Sequence, residues 1–124
     1  MSTKISTTNA PPPAAPYSQA IKAGGFIYVS GQIPYTPDGK LVEGTLADRS
    51  AQCLENIKAV VEAAGSSLEK VVKINVFLDD MTNFGEFNSA YIKYFGEIRP
   101  ARSCVAVKQL PLGVDVEVEA VALE

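Results

Sequence analysis

Apolar residues recur along the chain with two distinct periods. From Leu46 onward they fall at Cys53, Leu54, Ile57, Val60, Val61 and Ala64, the three-and-four spacing of a helix with one buried stripe. Thr45 precedes the run, Asp48 lies three residues on and Gly65 follows it. That is a variant capping box at the start and a glycine stop at the end. A second helix is predicted from about Asn83, with Glu86 three residues later and a stripe of Phe84, Phe87, Tyr91, Phe95 and Ile98. Lys70 to Leu78 is apolar at nearly every position, which predicts a strand covered on both faces. Val114, Val116, Val118 and Ala120 alternate with Asp115, Glu117 and Glu119, the period of a strand with two unlike faces.

The remaining segments complete the order. Residues 10–16 are proline- and alanine-rich, a stiff extended lead-in. Tyr17 to Lys22, a Gly24-Gly25 turn and the aromatic and β-branched run Phe26 to Gly31 predict a hairpin. Pro37-Asp38-Gly39 is a second turn. Two C-terminal strands, about Ser103–Val107 and Val114–Leu123, flank Leu110-Pro111-Leu112-Gly113. Hairpin, helix, strand, helix and two strands make an α+β fold in a single domain over residues 1–124, with two helices on one face of one sheet. Two helices leave the other sheet face bare, yet its strands are apolar, so the chain is expected to bury it against copies of itself.

Composition narrows the chemistry. The 124 residues include no histidine, which excludes Ser-His-Asp and Cys-His nucleophiles, histidine acid/base pairs and imidazole metal sites. Cys53 and Cys104 are too few and too far apart for a zinc knuckle or a CxxC redox pair, and reduced thiols are expected. A net charge of −3 argues against a nucleic-acid partner. No run approaches the roughly eighteen apolar residues of a membrane span, so no membrane partner is expected. Met1 to Asn9 resembles neither a secretory signal nor a transit peptide. A cytoplasmic location is expected, or a mitochondrial one if a presequence has been removed.

Several residues have both a structural and a chemical reading. Arg102, after Arg99-Pro100-Ala101, is a surface charge or a planar fork for a carboxylate. Alternation puts Arg102, Cys104 and Ala106 on one strand face; pairing of the last two strands would bring guanidinium, thiol and carboxylates together. Asn88 lies beside the second helix's apolar stripe, as a structural bond-maker or a site residue. Tyr17 is a packing residue or a pocket cover, and Ser30-Gly31 a bulge or a point of close ligand approach. Cys104 reads as a small buried hydrophobe. Asp79-Asp80 reads as a strand end, since no further ligand cluster accompanies it.

Ala15-Pro16-Tyr17-Ser18-Gln19-Ala20, Val29-Ser30-Gly31-Gln32-Ile33-Pro34, Asn56-Ile57-Lys58-Ala59-Val60, Arg99-Pro100-Ala101-Arg102-Ser103-Cys104-Val105, Leu110-Pro111 and Val116-Glu117-Val118-Glu119-Ala120 occur in this order. As a set they resemble the RidA/YjgF/L-PSP (Rid) family, over a match from Asn9 to Leu123. The resemblance implies a chorismate-mutase-like fold with a mixed sheet, and a homotrimer with three clefts between subunits. It also implies 2-iminobutanoate/2-iminopropanoate deaminase activity: a small 2-imino acid is hydrolysed to a 2-keto acid and ammonia, with no cofactor and no metal. Carried over by motif, Arg102 binds the substrate carboxylate and Glu117 holds the hydrolytic water. Tyr17, Ser30, Gly31, Asn88 and Cys104 line the cleft, some from the adjacent subunit, while Glu119 is not catalytic. The competing readings are a non-catalytic ligand-binding or holdase trimer and a translation-inhibiting endoribonuclease. Acidity and the missing histidine count against the last.

Overall fold

Strand-forming segments flank helix-forming ones throughout, and the structure, a computed structural model, describes residues 1–124. The strands are β1 (Thr3–Ile5), β2 (Ala20–Ala23), β3 (Phe26–Gln32), β4 (Val71–Leu78), β5 (Ala101–Ala106) and β6 (Val116–Leu123); the helices are α1 (Leu46–Ala63) and α2 (Phe84–Phe95). They form one sheet in the order β1-β2-β3-β6-β4-β5, antiparallel except for the parallel β4–β5 pair.

The capping chemistry of α1 is the predicted one. Thr45 Oγ1 accepts from Asp48 N–H and the Asp48 carboxylate accepts from Thr45 N–H. Gly65, at φ +86°, closes the other end: its N–H donates to Glu62 O while Ser66 N–H donates to Val61 O, the two bonds of a Schellman stop. Entry into α2 differs. Asn83 caps nothing, and Glu86 instead accepts from Ala47 N–H in the first turn of α1, tying the two helix starts together.

Both helices lie on one side of the sheet. Leu54, Ile57, Val60 and Val61 of α1 with Phe87 and Phe95 of α2 bury against Ile27, Val29, Ile74, Val76, Leu78, Val116 and Val118. Each such side chain contributes about 1.5–3 kcal/mol through burial. Phe84 is more exposed than a stripe residue should be, and Ile98 packs on the core from beyond the helix end.

Two expectations need correction. β5 and β6 do not pair, because β4 lies between them. α2 carries the chain from β4 to β5 as the crossover that a parallel pair requires, and β6 then takes the other edge of β4. β4 is covered on one face only: Ile74, Val76 and Leu78 are buried under the helices, while Lys73, Asn75 and Phe77 are merely half-buried. Thr3–Ile5, for which the sequence predicts no element, pairs with β2 as an edge strand. Three residues carry too little pattern to announce it.

The uncovered face carries Phe26, Tyr28, Val105 and Leu123, all exposed, with Tyr28 at 50%. It is mixed rather than wholly apolar, because Lys73, Asn75, Glu117 and Glu119 share it with these side chains.

Candidate active site

The residues singled out by sequence separate into two groups on opposite faces of the sheet. Arg102 and Cys104 are in register with Ile74 and Val76, both buried under the helices, so they point to the helix side. Glu117 is in register with Phe77 on the uncovered side. Within one chain Arg102 and Glu117 are two strands apart and face away from each other.

The Arg102 group is built by α2 and β5. Arg102 Nη1 donates to Asn88 Oδ1 at 2.8 Å. Its guanidinium carbon lies 4.7 Å from the ring centre of Tyr91, 5.6 Å from Phe84 and 5.9 Å from Phe87. Spacing along α2 puts residues 84, 87, 88 and 91 on one helix face, so about two turns of helix supply the whole cradle. The ion pairs of the chain engage Lys22, Lys40 and Arg49, leaving Arg102 without a carboxylate. Four of a guanidinium's five N–H donors therefore remain for a ligand. Asn88, Tyr91, Phe95, Arg99, Pro100 and Arg102 line an open cavity of about 520 Å³ there. Cys104 sits half-buried beside it; burial pushes its thiol pKa up and the Arg102 charge only partly opposes this. Such a thiol is protonated at neutral pH, a poor nucleophile.

The Glu117 group is built by β3, β6 and the proline segment. Tyr17, Ser30, Gly31 and Glu117 line a second cavity, about 430 Å³, with Ala14, Ala15, Pro111 and Leu112. Four of the seven predicted residues thus meet in one place. Ser30 and Gly31 occupy a bulge: Val29 pairs with Ala120 but Gln32 pairs with Val118. Gly31 also permits a close approach, but by the protein's own Glu117. A Cβ at Gly31 would lie 2.6 Å from Glu117 Oε2. Ser30 spends its hydroxyl donating to Ser18 O at 2.6 Å, so it ties the proline segment down.

Burial raises the Glu117 pKa above the ordinary carboxylate value, and the neighbouring charge of Glu119 adds to the shift. Glu119 has a different partner, accepting from Asn75 Nδ2 at 3.1 Å. Asp115 does not join them, because Arg49 of α1 grips its carboxylate through Nε and Nη2 at 2.8–3.1 Å. Only Glu117 of the three acids stands in the cavity with its oxygens free to accept.

Other features were not legible in advance. Gln19 is buried and holds the proline segment, accepting from Thr7 N–H at 2.7 Å and donating to Thr7 O and Pro11 O. A glutamine beside three prolines, whose carbonyls lack strand partners, is the one sequence signal for this. Tyr91, which the sequence pattern marks only as a packing residue, also lines the Arg102 cavity, its hydroxyl buried without a partner. A larger depression of about 630 Å³ runs along the outer face of α1, lined by Gln52, Glu55, Lys58 and Glu62 among others. Its charges are mixed and none of the predicted residues reaches it. No group of three or more potential metal-ligating side chains occurs in the chain.

The geometry has close counterparts. The Endoribonuclease L-PSP family model matches residues 7–124. Protein HMF1 of Saccharomyces cerevisiae is 57% identical over 122 residues, covering 98% of this chain and 95% of that protein. Yeast Mmf1, whose name marks it as mitochondrial, is 56% identical over 98% of this chain and 84% of its own length. Its crystal structure superposes with a TM-score of 0.97, covering 100% of this chain and 99% of that one at 55% identity. Escherichia coli TdcF, solved with bound serine, superposes with a TM-score of 0.93 over 98% of both chains at 38% identity. On the sequence match over nearly its whole length and on the shared fold, this chain belongs to the YjgF/L-PSP (Rid) family.

Proposed function

We propose that the protein hydrolyses small 2-imino acids, of the 2-iminobutanoate and 2-iminopropanoate type, to 2-keto acids and ammonia. Its active site is assembled from the Arg102 group of one subunit and the Glu117 group of the next, in a homotrimer joined through the uncovered sheet faces, where Phe26, Tyr28, Val105 and Leu123 are exposed. The observation that carries this reading is the half-buried Arg102 guanidinium, fixed by Asn88 and three rings yet unpaired. A cation so held fits a small carboxylate. The structure of TdcF with bound serine, a small molecule that carries a carboxylate, supports the reading.

The chemistry then needs few parts. Arg102 holds the substrate carboxylate and fixes the position of C2. The protonated C=N carbon is already electrophilic, so no covalent intermediate with the protein is required. Glu117, with its raised proton affinity, accepts a proton as water oxygen bonds to C2. That proton passes to nitrogen in the tetrahedral carbinolamine; the C–N bond then breaks and ammonia leaves as the carbinolamine hydroxyl becomes the C=O, its proton returning to Glu117 and from there to solvent. Orientation and charge placement supply most of the rate.

The test is Arg102→Ala in a threonine dehydratase-coupled assay, with semicarbazide competing for the free imine. Enhancement of 2-keto acid release should fall by about two to three orders of magnitude, with the oligomer intact; undiminished enhancement refutes the proposal. The family name supports a second reading, an endoribonuclease in which Arg102 meets phosphate. RNA cleavage that disappears with the same variant would select it. Holdase action on an unfolded client should survive Arg102→Ala, and so separates a chaperone role from catalysis.

A further inference from the structure

Pro111-Leu112-Gly113 forms a single 3-10 turn between β5 and β6, and Leu112 occupies it in an unexpected state. Its φ is +56°, a left-handed conformation that disfavours a branched side chain. It is also 64% exposed, the highest value for a large apolar side chain away from the N-terminus. Neither feature helps the chain fold by itself. The turn is nevertheless fixed. Gly113 N–H donates to Leu110 O and Val114 N–H to Pro111 O, Val114 is buried, and Asp115 is locked by Arg49.

What this position does is divide two cavities. On one side is the 430 Å³ cavity of Glu117, Tyr17, Ser30 and Gly31. On the other is a cavity of about 450 Å³ lined by Asp79, Lys108, Gln109, Leu110, Gly113 and Val114. Leu112 lines both. The Glu117 cavity has otherwise short apolar walls, Ala14, Ala15 and Pro111. Ala14, Ala15, Pro111 and Leu112 are the apolar surface this cavity offers to the alkyl group of a substrate whose C2 lies beside Glu117.

We propose that Leu112 sets substrate length: it closes the alkyl end of the Glu117 cavity and restricts the enzyme to imino acids with short, unbranched side chains. This rests on the deaminase reading above. Left-handed backbone held at a position that touches the ligand is strain of the kind retained for function. Removing the side chain joins the two cavities and admits longer alkyl groups.

The experiment compares wild type, Leu112→Ala and Leu112→Gly on two imines. Threonine dehydratase acting on threonine supplies the short one; an L-amino-acid oxidase acting on leucine supplies the long one. Semicarbazide competition reads hydrolysis of each. Glycine suits the left-handed backbone, so Leu112→Gly guards against a folding defect in the alanine variant. Relative kcat/KM for the leucine-derived imine should rise about tenfold or more in both variants, a usual return for a few methylenes of pocket, with oligomer mass unchanged. An active wild type whose preference ratio is the same in both variants overturns the role of Leu112. So does a fall in oligomer mass at unchanged ratio, which would make Leu112 an interface residue. A wild type that hydrolyses neither imine overturns the deaminase reading itself, and the length wall with it.

Discussion

The two halves of the candidate site handle charge in opposite ways. Around Arg102 the protein gathers groups that favour a cation: three aromatic faces and the Asn88 carbonyl surround the guanidinium. Around Glu117 it disfavours an anion, through burial and a second carboxylate nearby. The first arrangement makes a fixed anchor, and the second makes a base that binds a proton more tightly than a free carboxylate. A hydrolase acting on a carboxylate-bearing imine needs one of each. Placed on opposite faces of a sheet, they do not neutralise each other within the chain.

This contrast is sharpest in Glu117→Gln, which keeps shape and removes the base. Imine hydrolysis should drop about a hundredfold or more, the usual scale for a general base. Stability should move the other way. A folded pKa raised above the unfolded value gives stability that is full below the ordinary carboxylate range and is lost as pH rises through the folded pKa. Wild type therefore carries a penalty at neutral pH that the glutamine variant lacks. Thermal melts should show the variant more stable at pH 7 and equal to wild type below about pH 4. The wild-type rate, needing ionised Glu117, should fall on the acid side with a midpoint above the ordinary carboxylate value.

A smaller effect is expected from Gly31→Ala. The added Cβ falls 2.6 Å from Glu117 Oε2, so the carboxylate must swing away. About a tenfold loss of kcat should result, with Arg102-dependent ligand affinity unchanged in a keto-acid titration. Tyr91 probes the other half. Tyr91→Leu removes the nearest ring beneath the guanidinium and should raise KM for the imine about tenfold with kcat little altered. Tyr91→Phe keeps the ring and deletes a buried hydroxyl that has no partner. It should keep wild-type kinetics and match or exceed wild-type stability by up to about 1 kcal/mol in denaturant titration.

How far sequence alone reached also differs between the halves. Local rules were enough for α1, where Thr45, Asp48 and Gly65 do what their types dictate, and for the β2–β3 hairpin around Gly24-Gly25. Pairing across the sheet was not legible. The alternating faces of the last two strands were correct, but nothing local says that β4 inserts between them. That single misplacement put Arg102 and Glu117 on one imagined face. Half of the site was legible through motif and only its grouping is new: Tyr17, Ser30, Gly31 and Glu117 meet in space because a bulge and a buried glutamine fold the proline segment over β3. Gln19 and the cradle role of Tyr91 stayed hidden, since each depends on what long-range packing sets beside it.

The central claim is that the site takes Arg102 from one chain and Glu117 from another. Mixing denatured Arg102→Ala and Glu117→Gln chains in equal amounts and refolding them together tests it directly. Each variant alone should keep about one per cent of wild-type activity or less. In randomly assembled cyclic oligomers about a quarter of the clefts would pair an intact Arg102 with an intact neighbouring Glu117, so the mixture should recover about a quarter of wild-type imine hydrolysis. A mixture that assembles fully and stays as inactive as its two components would contradict the account.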